Sequence, residues 1–171
     1  MQISNFAGKT IAIMVASGFD EKLFIAIQSA MLTAGAKLKI VSRDAGLTNA
    51  WNRTGWGMSY PVDATISTAL AVDYDALIIP SGSRHVETLA GEVHVKRILR
   101  AFLRENMPVL LVEEAISLLD VVDVAAPVIN DETGTGCENR LVVIKAGDQN
   151  ISGIENLNGV MVEAEDSNVA A

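Results

Sequence analysis

Four short runs rich in β-branched residues punctuate the first two thirds of the chain, and each ends in small or polar residues. They are KTIAIMVA (9–16), KLKIVS (37–42), YDALIIP (74–80) and PVLLV (108–112), all with the length of buried strands. Between the first two, Asp20 is placed to cap a helix from about Glu21 to Ala34. Leu23, Ile27, Ala30, Met31 and Ala34 share one face of it at 3/4 spacing, and Gly35 stops it. A second helix is predicted from about Glu92 to Glu105, with Val95, Ile98, Leu99, Phe102 and Leu103 on one side. A third, short one follows Glu113-Glu114 and runs to Leu119. Strand, helix, strand, strand, helix, strand, helix is the order of a parallel sheet covered on both faces. Residues 43–61 break the rhythm: Gly46, Gly55 and Gly57 punctuate them, and Trp51 and Trp56 lie among them. They read as a Gly-rich loop whose tryptophans line a ligand pocket or an interface, or cover the sheet edge. The connection after Pro61 carries an amphipathic hint in Ile66 and Leu70.

From Val121 the pattern changes. VVDVAAPVIND alternates, DETGTGCEN reads as a turn-rich loop, RLVVIKA as a strand and GVMVEA as a last one, with EDSNVAA fraying. The expectation is one domain over 1–171, with a core at about 9–120 and a β-rich tail at about 121–171.

Composition narrows the function classes. Half of the 171 residues are hydrophobic and a fifth charged, which suits a globular chain. A net charge of −8 with scattered basic residues argues against nucleic acid, and Lys96, Arg97, Arg100 and Arg104 read as a solvated helix face. The single cysteine, Cys137, forms no intrachain disulfide and fits a reducing, cytoplasmic setting. No secretory signal is evident, and no apolar run reaches the roughly 18 residues of a membrane span. The glycosylation tripeptides at 52–54 and 150–152 carry no weight.

Ligands of open parallel sheets bind at the carboxyl ends of the strands. Three such ends are notable: Ser17-Gly18-Phe19-Asp20-Glu21, Ser81-Gly82-Ser83 and Glu113-Glu114. A sharp strand-to-helix turn presents its side chain above the sheet, and Gly82 lets a second backbone approach, which is an oxyanion-hole layout. A carboxylate in place of a Cys or Ser nucleophile is a poor acyl acceptor and competes for the same N–H donors.

Three stretches, GFDEKLFIAIQSAMLTAGAKLKIVS, DYDALIIPSG and NMPVLLVEEAISLL, resemble in order and spacing the ThiJ/PfpI superfamily. The resemblance implies a flavodoxin-like three-layer α/β sandwich with a mostly parallel sheet, related to the class I glutamine amidotransferases, and chains that dimerise. It places the family's cysteine on Glu113, the following histidine on Glu114 and the next glycine on Ala115. The acid that bonds the cysteine falls on Leu23, while the first acid stays as Asp20. Pro-Gly-Gly becomes Pro80-Ser81-Gly82. These departures imply that the thiol-based protease or deglycase chemistry is gone. They resemble the cysteine-less C-terminal domain of large-subunit catalases, a branch implicated in stability and assembly, and STALAVDYDALIIPSG is similar to that branch's lead into the strand.

Two readings of the junction stand side by side. Glu113, desolvated and near Asp20, acts as an acid or base; or it caps its helix or bonds the Gly82 N–H, filling the old hole. Glu114 is expected to face solvent or an interface. His85 is placed to reach the elbow mouth as a surface residue, and with His94 makes no metal site. Ser81 and Ser83 have no Ser-His-Asp order, and Cys137 has no neighbouring histidine motif. The pocket expected from the sequence comprises Gly82, Glu114, Ser81, His85, Trp51 and Trp56 around Glu113 and Asp20, with no cofactor or metal. The functional expectation is a non-catalytic domain acting through binding, oligomerisation or stabilisation, as a homodimer or larger homo-oligomer with a small-molecule ligand possible. A lyase, hydratase or hydrolase using Glu113 and Asp20 is the alternative, and a stress-related holdase a weaker third.

Overall fold

The computed structural model describes residues 6–145. Its main sheet contains β1 (Thr10–Val15), β3 (Lys37–Ser42), β6 (Ala64–Thr65), β7 (Ala76–Ile79), β8 (Val109–Val112), β9 (Thr135–Glu138) and β10 (Leu141–Ile144). Their order is β6-β3-β1-β7-β8-β10-β9, parallel throughout except β9, which runs antiparallel to β10. Successive side chains of a strand point to opposite faces. Ile11, Ile13 and Val15 of β1 therefore join one core with Leu23, Phe24, Ile27 and Met31 of α1 (Glu21–Thr33). Ala12 and Met14 join the other, with Val86 and Leu89 of α2 (Ser83–Ala90) and Val95, Ile98, Leu99 and Phe102 of α3 (Val93–Arg104). Leu118 and Leu119 of α4 (Leu118–Val121) complete that second layer. The three-layer α/β sandwich with a mostly parallel sheet is as expected.

The predicted helices form for the reasons read from the chain. The Asp20 carboxylate accepts from the Leu23 N–H at 3.0 Å, capping α1, and Gly35 takes φ +77° two residues past its end. Glu92 caps α3 by accepting from the His94 N–H at 3.3 Å. Arg97 is not simply solvated: its guanidinium donates to the carbonyls of Ile66 (3.2 Å) and Ala69 (3.0 Å), fixing the segment after β6.

Three segments differ from expectation. Residues 43–61 are not a loop but an antiparallel hairpin, β4 (Leu47–Trp51) and β5 (Trp56–Pro61), which β2 (Phe19–Asp20) extends into a second, three-stranded sheet. Polar residues and glycines hid it, because only Thr48 and Ala50 of β4 are buried. Helix α2 opens directly after Gly82, where the sequence pattern predicts no helix. The stretch DETGTGCEN contains β9 as well as turns, whereas residues 124–129 form no strand. The expected strand GVMVEA and the fraying EDSNVAA lie outside the described residues. Among the described residues, no helix is long and apolar enough to cross a membrane.

Candidate functional site

β1 has β3 on one side and β7 on the other, so the chain order reverses across β1 and β7 and leaves a crevice at their carboxyl ends. The backbone there is tied tightly. The Gly18 N–H donates to the Asn49 carbonyl at 2.8 Å, and the Asp20 N–H to the Ser81 carbonyl at 2.9 Å. Both glycines at this point are required. Gly18 has φ +105°, and a Cβ on it would lie 2.6 Å from the Arg84 Cβ; Gly82 has φ +133°, and its Cβ would lie 2.7 Å from the Gly18 carbonyl oxygen.

On the next strand, β8 ends at Val112 and the chain turns through Glu113 at φ +52° into a 3-10 turn over Glu113–Ser117. A left-handed non-glycine residue at that point is strained, as a side chain held above a strand-to-helix elbow is. Glu114 bends back across the crevice. Its Oε2 accepts from the Gly82 N–H at 3.2 Å and its Oε1 from the Ser83 hydroxyl at 3.4 Å. The anion that accepts from the Gly82 N–H is thus Glu114, where one of the two readings of the sequence placed Glu113; Glu114 is itself solvent-exposed, in line with its reading as a solvent-facing or interface residue.

The crevice is a cavity of about 350 Å³. Of the residues anticipated from the sequence, Asp20, Glu113, Glu114, Ser81, Gly82 and Trp51 line it. Trp56 stands behind, edge-on to Trp51 with ring centroids 5.3 Å apart. His85 is corrected outright: it is fully buried beneath the crevice. Its Nδ1 accepts from the Ala16 N–H at 3.4 Å, which leaves the proton on Nε2 to be donated to the Pro80 carbonyl at 2.6 Å. Burial holds the imidazole down to about 4, against the Pro80 bond and the Glu114 charge, which favour the cation. It is a neutral strut under the floor.

Glu113 titrates above the ordinary carboxylate range. Partial burial is the main cause, the charges of Glu114 and Asp20 add to it, and Arg53 opposes them. Sequence reasoning missed the two cations on the rim, Arg53 and Arg84. Arg84 sits with its guanidinium carbon 4.5 Å from the Trp51 ring centroid and 5.7 Å from that of Trp56. The only available signal was WNRTGW, which places Arg53 between the two tryptophans. Among the described residues, no group of three or more His, Cys, Asp or Glu side chains is arranged to hold a metal ion. Cys137 lies exposed on β9, two strands from β8 and apart from the crevice.

A mostly parallel sheet covered by helices on both faces, with a strained strand-to-helix elbow one strand beyond its switch point, defines a flavodoxin-like α/β protein. Residues 9–152 match the DJ-1/PfpI family, and the chain belongs to it. No curated protein sequence matches. Solved structures share the fold at low identity. A two-domain protein from Anabaena variabilis with DJ-1/ThiJ/PfpI-like and ferritin-like domains gives a TM-score of 0.78 at 15% identity; the match covers 88% of this chain but only 47% of that one. A ThiJ/PfpI domain protein from Brachyspira murdochii gives 0.75 at 15%, covering 92% and 98% of the two chains. Schizosaccharomyces pombe DJ-1 gives 0.70 at 15%, covering 90% and 97%.

Proposed function

We propose that this chain is a DJ-1/PfpI domain without thiol chemistry, acting by binding and self-association rather than by catalysis at the elbow. The observation that carries the reading is Glu114: its carboxylate already accepts from the Gly82 N–H, the donor that an oxyanion would need. Glu113 stands at the strained elbow position itself, and the family's partner acid corresponds to Leu23, which is buried in the α1 core. On this reading the chain stands beside the cysteine-less catalase C-terminal domains and works in the cytoplasm.

Self-association is supported by the outer face of α1 and the hairpin beside it. Ile25, Leu32, Trp56 and Met58 are large apolar residues left exposed, and the Glu21 carboxylate joins the two elements by accepting from the Met58 N–H at 2.6 Å. A homodimer burying that face is the expected state.

The second reading, an acid–base lyase, hydratase or hydrolase, has one observation in its favour: Glu113 shares the cavity with Asp20, and burial with the charges of Glu114 and Asp20 raises its titration. Incubation of the purified protein with methylglyoxal separates the readings. Consumption limited to stoichiometric modification of Lys and Arg is expected; multiple turnovers overturn the proposal, and their loss in Glu113→Gln would assign them to the acid–base reading.

A further inference from the structure

Resting on the reading of the crevice as a binding site, we infer that its ligand is a small zwitterion, with a carboxylate seated on Arg84 and an ammonium on Glu113. The inference starts from which charges are already engaged. Asp20 is occupied by the Leu23 N–H, and Glu114 by the Gly82 N–H and the Ser83 hydroxyl. Glu113 has no hydrogen-bond donor among the described residues, and neither Arg84 nor Arg53 has a carboxylate within ion-pair distance there. The crevice therefore holds, among the described residues, one carboxylate without a hydrogen-bond donor on its elbow wall, which feels the Arg53 charge, and two guanidiniums without an ion-paired carboxylate on its hairpin and α2 rim.

The cationic side is built rather than incidental. The Arg84 guanidinium lies over the Trp51 indole, with Trp56 edge-on to that indole, and its N–H groups have no hydrogen-bond acceptor among the described residues. The guanidinium edge is a planar fork matched to a carboxylate, and the aromatic support removes part of the ordering cost of gripping one. Gly18 exists at φ +105° to let the Arg84 stem pass against the β1 end. Across the cavity, Glu113 is crowded by Glu114 and Asp20, a repulsion that an incoming ammonium relieves. A simple anion would meet three carboxylates, and a simple cation would meet two guanidiniums. A molecule carrying both charges satisfies both walls. At about 350 Å³ the cavity lies at the small end for ligand sites, which favours a short molecule.

The test is a calorimetric titration, with tryptophan fluorescence in parallel, of glycine, β-alanine, γ-aminobutyrate and 5-aminovalerate against n-butylamine and butyrate. At least one of the zwitterions should bind about tenfold or more tightly than both single-charge compounds, as a charge-assisted hydrogen bond at each end requires. Arg84→Gln should reduce that zwitterion to the level of the amine, and Glu113→Gln to the level of the acid. Both variants are checked for wild-type circular dichroism, and either one alone decides, should the other misfold. Equal binding of zwitterions and single-charge compounds, no binding by any of them, or folded variants that bind like wild type would overturn the inference. These outcomes leave the methylglyoxal result untouched, so failure of the ligand and failure of the thiol-free reading are told apart.

Discussion

Replacing His85 with Gln tests how the floor of the crevice is held. In the native structure the imidazole is neutral, with its titration held down to about 4 from 6.5, mainly by burial. The unfolded chain binds a proton on His85 between these values and the folded chain does not, so stability falls as pH drops through that window. At about 1.4 kcal/mol for each tenfold change in proton concentration, the interval is worth about 3 kcal/mol. Glutamine keeps an N–H for the Pro80 carbonyl and an oxygen for the Ala16 N–H but does not titrate. At about pH 7 the variant should be less stable by about 1–2 kcal/mol, the range for an imperfectly replaced buried hydrogen bond. On going to about pH 4 the deficit should vanish and reverse, because only wild type carries the protonation penalty. Urea unfolding of both proteins at half-unit pH steps gives the difference directly, and carboxylates common to both cancel. A difference that stays constant between pH 7 and 4 would refute the neutral-strut account of His85.

Gly18→Ala, at φ +105° with its Cβ 2.6 Å from that of Arg84, should lower stability by about 1–3 kcal/mol and shift tryptophan emission, since Arg84 packs on Trp51. Gly91→Ala, at φ −85° with no tight contact, should be near neutral in the same denaturation assay. Glu113 has its folded titration raised, so its ionised form destabilises the fold above the ordinary carboxylate range, and that effect disappears below it. Glu113→Gln should therefore stabilise at neutral pH, by less than about 1 kcal/mol after solvent screening, and not in acid; a loss of neutral-pH stability would contradict the crowding argument. Leu32→Glu combined with Met58→Glu should shift the protein from dimer to monomer by light scattering, whereas a wild-type monomer at high concentration would remove the association proposal.

The parts of the fold legible in the sequence were those whose burial leaves a regular local pattern. The strands β1, β7 and β8 are buried on both sides and read as continuous apolar runs, while α1 and α3 carry stripes and caps. The hairpin was illegible because it stands off the main sheet and shows solvent most of β5, so alternation is lost among Gly, Ser and Met. Helix α2 was hidden for another reason: its starting residue Gly82 serves the close backbone approach and offers no side-chain cap. In the tail, Gly136 lets β9 run beside the Val128 carbonyl, a tertiary constraint with no local signature.

The site was legible as a set of strand ends, but the division of labour between its two glutamates was not. Chain position alone favours Glu113, the residue that directly follows β8, as partner of the Gly82 N–H. The elbow decides otherwise: Glu113, at φ +52°, lines the cavity, and the 3-10 turn brings the next residue back to the Gly82 N–H and the Ser83 hydroxyl. A one-residue step around such a turn exchanges the anchored carboxylate for its neighbour. The same step gives two acids in sequence different roles in one crevice: Glu114 is held by donors of the α2 start while keeping its charge, and Glu113 is left as the carboxylate without a donor among the described residues. Exchanging them should be unequal. Glu114→Gln removes charge from a satisfied acceptor and leaves Glu113 less crowded, so its titration should move down toward the ordinary range, which the carboxyl resonance of Glu113 would report in an NMR pH series. A Glu113 titration unmoved by that change would show that burial alone sets it.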